Sequence, residues 1–367
     1  MITLNSGVGN YIELNGKMYS YFAGNNYLGL ANDPRIILNS KQAIEKYGAS
    51  VSASRQTTGT SEIHLELEKL LAEFKNQEDA MVFASGYMGN RLLLEALRNQ
   101  YSVIFADSMA HASILDGIPR MFANVQFYEH CNPNHLEKLL NENKTLRPLV
   151  VTDGIFALTG EIAPVDQLYS LVEKHNGFLV VDDAHATGVL GDNGRGTPEY
   201  FGLGGAPNIF QSETMSKALG SYGGFLAGTN EFIQQLRSSA FYGASTALPP
   251  PIVAASISAL KLMKQNPLLR KKLANNSELL RKGILDLGFD TSGENTPIIP
   301  VYFEKQEDAQ NLSAYLEDNF IIAPSVNYPV KMEKFIVRIT VSAIHTKDQI
   351  ENLLYVMGNW QKKQISK

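Results

Sequence analysis

The stretch FLVVDDAHATG at residues 178–188 carries the most information about the fold. Its first four residues are apolar and include two valines, which is typical of a strand buried on both faces of an α/β sheet. The acidic pair Asp182 and Asp183 follows directly, so these carboxylates are expected at the carboxyl end of that strand. Ligands bind at this edge in open α/β sheets. The stretch therefore predicts a parallel sheet with a functional acid at its edge.

Similar short apolar runs recur along the first two thirds of the chain. They lie at residues 80–84, 103–106, 125–128, 148–152, 178–181 and 208–211. Amphipathic segments separate them, and in residues 62–75 the apolar side chains share one helical face behind the N-cap candidates Ser61 and Thr60. This alternation predicts a large α/β domain over residues 41–265.

The regular alternation fades after residue 265. Residues 264–285 have the pattern of a long polar helix, and short strands are expected at residues 298–303 and 335–341, with helices at 305–319 and 346–360. These elements predict a smaller α+β domain over residues 266–367. Strand-like segments at residues 11–14 and 18–22 indicate that residues 1–40 pack with this smaller domain.

The composition argues against several classes of protein. The 367 residues include 32 Lys+Arg and 37 Asp+Glu, and the net charge of −5 argues against an electrostatic nucleic-acid binder. Cys131 is the single cysteine, which excludes an intrachain disulfide and fits a reducing cytoplasm. Residues 1–16 lack the pattern of a signal peptide, and no apolar run has the length of a membrane span.

A lysine surrounded by small residues lies in the stretch SETMSKALGSYGG at residues 212–224. The amine of a buried lysine forms a Schiff base with an aldehyde cofactor, and Lys217 is the candidate here. Thr214, three residues earlier, carries a hydroxyl that can bind a phosphate. By itself the segment also fits an exposed loop lysine.

The acid at position 182 suits the same cofactor. A carboxylate that faces a pyridine nitrogen keeps it protonated, and a protonated ring is the electron sink of pyridoxal chemistry. A metal site formed by Asp182, Asp183 and His185 is an alternative. The neighbouring sequence offers no matching ligand motif, so we expect no metal.

Two further segments have the residue types of a cofactor site. In FASGYMGN at residues 83–90 a strand ends and a helix begins, and backbone N–H groups at a helix start bind anions. In AHAS at residues 110–113, His111 can stack on a flat ring or move a proton. Each segment alone also fits an ordinary structural role.

The order of phosphate loop, histidine, acid and lysine resembles the fold-type I pyridoxal-phosphate enzymes and, more narrowly, the α-oxoamine synthases. The resemblance extends from NNYLGL at residues 25–30 to RITVSAIH at residues 338–345. It includes TDGIF at 152–156, GDNGRG at 191–196 and STALPP at 245–250. It implies a mostly parallel seven-stranded sheet in the large domain and a smaller α+β domain beside it.

The resemblance also implies a role for each matched residue near the cofactor. Lys217 would hold pyridoxal 5'-phosphate as a Schiff base and then act as acid and base. Asp182 would pair with the pyridinium, and His111 would stack on the ring. His185 would lie near the phenolic oxygen or the substrate carbonyl.

The remaining implied roles concern the phosphate, the substrate and a second subunit. The residues expected to bind the cofactor's phosphate end are Ser85, Gly86, Tyr87, Thr214 and, from the other subunit of a homodimer, Ser245 and Thr246. Asn26 and Arg338 would bind the carboxylate of the amino acid. The guanidinium of arginine suits that task because it binds a carboxylate at two points.

The reaction implied is the condensation of glycine, alanine or serine with an acyl-CoA thioester, usually with decarboxylation to an aminoketone. 8-Amino-7-oxononanoate synthases and glycine C-acetyltransferases are members of this family. Racemisation, aldol cleavage or transamination on the same scaffold is the alternative. Two departures favour it: Ala157 replaces a common serine, and the chain starts close to its NNYLGL motif. A non-catalytic binding protein is a third hypothesis, which the joint presence of Lys217, Asp182, His111 and Arg338 disfavours.

Overall fold

The structure is a computed structural model that describes residues 2–119, 122–292, 294–326 and 333–365. The chain divides into two compact units. Unit 1 comprises Met1–Asp33, Ala157–Glu161 and Asn266–Lys367, and unit 2 comprises Pro34–Phe156 and Ile162–Gln265.

Strands and helices are numbered along the chain. The strands are β1 (Tyr11–Leu14), β2 (Lys17–Tyr21), β3 (Asp79–Phe83), β4 (Val103–Asp107), β5 (Val125–Tyr128), β6 (Pro148–Asp153), β7 (Phe178–Asp182), β8 (Ile209–Thr214), β9 (Gly224–Gly228), β10 (Ile298–Phe303), β11 (Ile321–Ile322), β12 (Ser325–Val326) and β13 (Phe335–Thr340). The helices are α1 (Pro34–Tyr47), α2 (Glu62–Lys75), α3 (Tyr87–Leu97), α4 (Ala112–Gly117), α5 (Pro133–Glu142), α6 (Val165–Lys174), α7 (Thr197–Tyr200), α8 (Asn230–Arg237), α9 (Ala240–Gly243), α10 (Pro250–Gln265), α11 (Leu268–Asp286), α12 (Gln306–Asp318) and α13 (Lys347–Ile365).

The described part of unit 2 contains a seven-stranded sheet in the order β3-β9-β8-β7-β6-β4-β5. Strand β9 runs antiparallel to β3 and β8, whereas the pairs from β8 to β5 are parallel. The mostly parallel α/β fold expected from the sequence is therefore confirmed. Because the parallel strands end at one edge, the residues after β4, β6, β7 and β8 gather there.

The strands of this sheet follow the pattern of apolar residues closely. Every residue of β4, β6 and β7 is buried, as expected for strands covered on both faces. Helix α2 has the expected bounds, with Ser61 as its N-cap. Strand β9 was not predicted, because its sequence GFLAG lacks the β-branched residues that mark strands.

Unit 1 is built around two small sheets with the orders β1-β2-β11 and β10-β13-β12 among its described strands. The core side chains of α11, α12 and α13 pack against the second sheet and include Trp360, which contacts the rings of Phe289 and Phe303. The predicted helix over residues 264–285 is wrong in one respect. Helix α10 ends at Gln265 and α11 starts at Leu268, because Pro267 interrupts the chain between them.

The division into units differs in detail from the domain boundaries expected from the sequence. The expected boundary at residue 40 falls inside α1, which packs along α10 within unit 2. Residues Ala157–Glu161 belong to unit 1 although both flanking segments belong to unit 2. The pattern of apolar residues cannot reveal that so short a segment belongs to the other unit. It indicates which residues are buried but not which unit they pack against.

In the described part of the chain, the longest helices are α11 and α13, each 19 residues long. Charged side chains are distributed along both of them. Within the described residues, no helix combines the length and the apolar character needed to cross a bilayer.

Candidate active site

The residues expected to bind the cofactor lie at the carboxyl edge of the unit 2 sheet. Asp182 ends β7, and Asp153 ends the neighbouring strand β6 in register with it. Thr214 ends β8, and Lys217 lies in the loop that follows. His111 follows β4 and is the N-cap of α4. Four separate strands thus deliver polar side chains to one edge.

Asp182 is buried, and hydrogen-bond donors surround its carboxylate. Oδ2 accepts from the Asn90 Nδ2 at 2.6 Å and lies 3.3 Å from the Ser113 hydroxyl. Oδ1 accepts from the backbone N–H of Ala184 at 3.1 Å. A carboxylate has about four lone-pair positions, so these three contacts leave room for another donor.

Asn90 and Ser113 contact Asp182 and are candidate site residues that the sequence analysis missed. Both are buried, and the Asn90 amide donates to the Ser113 hydroxyl at 2.9 Å as well as to Asp182. The signal was present in the sequence, because Asn90 and its neighbour Arg91 precede three leucines on a helix with an apolar face. A buried amide at such a position needs a polar partner.

His111 is held by hydrogen bonds on its backbone and on its ring. Its backbone N–H donates to Asp153 Oδ2 at 2.8 Å, and its Nδ1 accepts from the Ser113 N–H at 3.2 Å. Burial lowers the pKa of His111 below 6.5; the Asp182 charge opposes this shift, and the Lys217 charge adds to it. The ring is therefore neutral at pH 7, and Asp182 and Lys217 both lie within electrostatic range of it.

Asp153 is a second acid that the sequence analysis did not single out. It is buried, and its pKa is raised well above the usual range, first by burial and then by the charge of Asp182. Two neighbouring carboxyl groups cannot both ionise at low cost in a buried place. Burial and the neighbouring charge therefore both favour the protonated form of Asp153.

The loop after β8 presents Lys217 on a compact turn. The backbone N–H of Met215 donates to the Gly223 carbonyl at 2.9 Å, and that of Gly220 donates to the Lys217 carbonyl at 2.9 Å. Lys217 itself is half-buried, and the side chain of Ala218 behind it is buried. The sequence reading of an exposed loop lysine is therefore not what the structure shows.

The start of α3 and the end of β8 approach closely. A Cβ atom at Gly86 would lie 2.9 Å from the Thr214 Cβ, so only glycine fits at this helix start. The Ser85 hydroxyl accepts from the Tyr87 N–H at 3.3 Å, and the Thr214 hydroxyl donates to the Gly223 carbonyl at 2.9 Å. Backbone N–H groups and hydroxyls are thus grouped where an anion can bind.

These residues fit pyridoxal phosphate. A carboxylate with a free lone-pair position, a neutral aromatic side chain and a lysine lie within electrostatic range of one another. The buried Oδ1 of Asn90 has no hydrogen-bond partner among the described residues, which fits a site shaped around another group. The glycine-lined start of α3 supplies the anion-binding end.

The roles predicted for three further residues of unit 2 are not tested by the structure. His185 is buried three residues beyond β7. Ser245 is half-buried, and the exposed Thr246 forms an isolated bridge with Ser54. Their roles toward the cofactor remain predictions.

The metal alternative involving Asp183 finds no support in the described contacts. The Asp183 carboxylate is buried and accepts from the Thr197 N–H at 2.8 Å and from the Thr197 hydroxyl and the Gln211 amide at 2.5 Å. It is therefore occupied by neutral donors of α7 and β8. No group of three metal-ligating side chains in the described ranges includes Asp183.

Arg338 of unit 1 is held by three different segments of that unit. Its Nε donates to the Ala157 carbonyl at 2.6 Å, one terminal nitrogen donates to the Thr340 hydroxyl at 2.9 Å, and the other donates to Asn25 Oδ1 at 3.0 Å. Its Nε and both terminal nitrogens thus donate hydrogen bonds, and the side chain of Tyr27 forms a further one with it. These bonds fix the position of the guanidinium.

Asn25, which the sequence analysis did not assign, is the asparagine that contacts Arg338, and the role of Asn26 toward the substrate carboxylate stays a prediction. The Asn26 amide donates to the Val8 carbonyl at 3.2 Å, and its oxygen accepts from the Ala31 N–H at 3.1 Å. Asn26 therefore stabilises its own loop. Burial raises the pKa of the neighbouring Tyr27 to about 12, with Arg338 opposing the shift, so its hydroxyl stays neutral.

Residues 20–356 match the family described as Aminotransferase class I and II. An 8-amino-7-oxononanoate synthase of Thermoanaerobacter pseudethanolicus is 40% identical over 346 residues, which are 93% of this chain and 87% of that protein. Among solved structures, serine palmitoyltransferase from S. paucimobilis with a bound PLP–myriocin aldimine has a TM-score of 0.92 and 28% identity, covering 99% of this chain and 92% of that one.

An 8-amino-7-oxononanoate synthase from Francisella tularensis has a TM-score of 0.80 and 27% identity, with 94% of this chain and 98% of that chain covered. Both lines of similarity extend over nearly the whole sequence, as the motifs do. The chain therefore belongs to the aminotransferase class I and II family and, within it, to the α-oxoamine synthases, which are fold-type I pyridoxal-phosphate enzymes.

Proposed function

We propose that the protein is a pyridoxal-phosphate-dependent acyltransferase that joins a small amino acid to an acyl thioester and releases carbon dioxide and a free thiol. The cluster of Asp182, His111 and Lys217 in a chain of this family carries the proposal. When bound, pyridoxal phosphate supplies an electron sink that stabilises a carbanion at the α carbon of the amino acid.

Each member of the cluster has one task. Lys217 would hold the aldehyde covalently, and its amine would be the base that takes the α-proton. Asp182 would keep the ring nitrogen protonated, because an opposite charge stabilises a cation. His111 would stack on the ring without adding a positive charge, since burial lowers its pKa.

Hydroxyls and backbone donors hold the phosphate end of the cofactor. We assign this task to Ser85, Gly86, Tyr87 and Thr214, because they meet where α3 begins and β8 ends. His185 is assigned to the phenolic oxygen of the cofactor or the substrate carbonyl by similarity alone.

Arg338 is assigned to the carboxylate of the amino acid, with Asn25 fixing its guanidinium. The bond broken at the α carbon has to lie perpendicular to the cofactor ring, so the orientation set by this arginine is part of catalysis. Two N–H donors held in one plane fix a carboxylate better than a single ammonium does.

Alanine and a seven-carbon acyl group are the substrates that we propose. The relatives are named after 8-amino-7-oxononanoate, a nine-carbon acid with a ketone at C7 and an amine at C8. Cutting it between C7 and C8 leaves a seven-carbon acyl group that ends in a carboxylate. The other fragment is alanine without its carboxylate.

Assembly and cellular location are further parts of the proposal. We propose a homodimer in which Ser245 and Thr246 reach the cofactor of the other subunit; Thr246 is exposed, as such a role requires. A reducing compartment such as the cytoplasm fits the single cysteine, Cys131.

Release of free thiol tests the function. The protein loaded with pyridoxal phosphate is mixed with pimeloyl-CoA and, in separate reactions, alanine, glycine or serine, and free CoA and carbon dioxide are measured. We expect turnover with alanine to exceed that with glycine and serine. Lys217→Ala is expected to abolish it, and Lys144→Ala, at an exposed position, serves as the control.

Turnover of an amino acid without any thioester would contradict the proposal. In that case racemisation, aldol cleavage or transamination would be the reaction. Turnover with glycine or serine in place of alanine would contradict only the choice of substrate.

A further inference from the structure

A second cluster of reactive side chains lies at the outer part of the unit 2 sheet. Asp107 ends β4, and His130 and Cys131 follow β5, the neighbouring edge strand. Their ligand atoms lie within 4.8 Å of one another. None of these three residues has a role in the proposed condensation.

The carboxylate of Asp107 contacts both His130 and Cys131 and orients them. It is 1% exposed; its Oδ1 lies 2.8 Å from His130 Nδ1, and its Oδ2 accepts from the Cys131 N–H at 2.9 Å. A carboxylate accepts hydrogen bonds, so Nδ1 carries the ring proton. The other ring nitrogen, Nε2, is therefore the basic one in the neutral imidazole.

That basic nitrogen faces the thiol. His130 Nε2 lies 3.7 Å from Cys131 Sγ, within hydrogen-bond range for sulfur. The His130 ring packs against the ring of Phe156 in a T-shaped arrangement, with ring centroids 4.3 Å apart. Carboxylate, imidazole and thiol thus lie in the order in which a base activates a nucleophile.

Cys131 is held for this contact and remains accessible. Its backbone has a φ of +50°, which residues other than glycine rarely adopt. The hydrogen bond from its N–H to Asp107 helps to hold this conformation. The residue is only partly buried, which leaves part of its surface open to a reagent.

Tyr128 of β5 is a fully buried neighbour of this cluster. Burial raises the pKa of its hydroxyl, the charge of Asp107 adds to the shift, and a hydrogen bond with Thr152 opposes it, so the hydroxyl keeps its proton.

We propose that Cys131 is a nucleophilic thiol that accepts an acyl group from an acyl thioester. His130 Nε2 takes the thiol proton, the sulfur attacks the carbonyl carbon, and a new carbon–sulfur bond forms. The bond to the donor's sulfur then breaks, and the His130 proton passes to the departing thiolate. One thioester and one thiol are consumed, and one of each is formed.

The proposal rests on the proposed function only for the choice of thioester as the acyl donor. A metal ion between Cys131 and His130 is the competing use of the same atoms. The Asp107 oxygens face His130 Nδ1 and the Cys131 N–H, so only two side chains would remain as direct ligands, fewer than metal sites usually have.

The test measures acyl transfer without an amino acid. The full chain loaded with pyridoxal phosphate is mixed with acetyl-CoA, and acetyl groups on the protein and free CoA are counted over time. We expect one acetyl group and one free CoA per chain, because the sequence has a single cysteine. Hydroxylamine is expected to remove the acetyl group.

Variants identify the atoms responsible. Cys131→Ser is expected to take up no acetyl group while keeping the alanine-dependent turnover. His130→Gln is expected to slow acylation about 100-fold, which is typical for the loss of a general base. His135→Gln is the matched control, because its Nδ1 accepts from the Glu129 N–H and its replacement leaves the Cys131 contact intact.

Several results would overturn the inference. These are an unlabelled wild type, an acetyl group that persists in Cys131→Ser, and an unchanged rate in His130→Gln. Zinc that blocks labelling until a chelator removes it would identify a metal site instead. If His130→Gln does not fold, the rate at which iodoacetamide alkylates Cys131 in the wild type is measured instead. An alkylation rate no greater than that of the glutathione thiol would overturn the inference.

The inference and the proposed function can fail separately. Labelling of Cys131 without alanine-dependent turnover would leave the thiol site standing and remove the condensation. Alanine-dependent turnover without labelling of Cys131 would leave the condensation standing and remove the thiol site.

Discussion

Unit 2 positions the carboxylate of Asp182 with hydrogen-bond donors, whereas unit 1 positions the guanidinium of Arg338 with hydrogen-bond acceptors. In unit 2, side chains donate hydrogen bonds to the Asp182 carboxylate, and these donors come from motifs next to the strand ends. In unit 1, acceptors surround the Arg338 guanidinium, and Asn25 and Ala157 are 313 and 181 residues away from it in sequence. Under the proposed function, unit 2 supplies the chemistry and unit 1 supplies a fixed binding group.

Replacing the lysine of unit 2 is expected to have the largest effect. Lys217→Ala removes both the covalent attachment of the cofactor and the group that takes the α-proton. We expect kcat to fall by at least about 1000-fold, in the range that loss of a general acid–base group produces. The measurement is thiol release, together with the borohydride-sensitive visible absorbance of the bound cofactor.

A Lys217→Ala protein that keeps both the activity and the visible band would remove the basis for calling unit 2 the chemical unit. Lys144→Ala, at an exposed position, controls for a general effect of losing a lysine.

Acid is expected to destabilise unit 1 through one buried histidine. Burial lowers the pKa of His345 to about 4 from 6.5. The unfolded chain therefore binds a proton between pH 6.5 and 4 that the folded unit does not. His345 contributes stability that is present above pH 6.5 and lost as the pH falls to 4, roughly 3 kcal/mol in total.

Fluorescence can follow that loss in unit 1 alone. Trp360 is the single tryptophan of the sequence and lies in the core of unit 1. Urea unfolding at several pH values is expected to show a smaller pH slope in His345→Gln than in the wild type. Equal slopes in both proteins would show that His345 does not carry the effect.

Replacing the arginine of unit 1 is expected to change binding but not the cofactor. Arg338→Lys keeps the charge and loses the planar pair of donors. We expect kcat/KM for the amino acid to fall about 30-fold, which corresponds to about 2 kcal/mol. The visible band of the cofactor should be unchanged; its loss would contradict the separation of tasks between the two units.

Most of the fold could be predicted because its strands are short apolar runs. The strands from β3 to β8 lie where the sequence indicated, and β1, β10 and α2 have the expected bounds. Strand β9 was not predicted because it is glycine-rich. Strands β11 and β12 were not predicted because each is two residues long. Two-residue strands have no periodicity to detect.

The site could be predicted only where chemistry and local sequence coincide. Asp182, Lys217 and His111 each follow a recognisable strand, and the structure brings the three within electrostatic range. Asp153 also ends a strand, but its importance comes from its neighbour across the sheet, which strand order alone reveals. The contact between Asn25 and Arg338 could not be predicted, because it depends on which of two adjacent asparagine side chains faces a residue 313 positions away.

The smallest expected effect separates those two neighbours. Asn25→Ala removes the acceptor that lies 3.0 Å from Arg338, at a cost of about 1 kcal/mol, so kcat/KM for the amino acid should fall about fivefold. Asn26→Ala removes two hydrogen bonds to the backbone of its own loop, to Val8 and Ala31. It should lower the urea midpoint reported by Trp360 and leave kcat/KM within about twofold.

The pair is a matched test because the two residues are identical and adjacent. If Asn26→Ala lowered kcat/KM and Asn25→Ala did not, the result would support the prediction from the sequence that Asn26 binds the carboxylate of the amino acid. Asn25 would then not be needed to position the guanidinium. If both variants lowered it equally, the loop and the acceptor would act as one unit, and the double variant would lose no more than either single one.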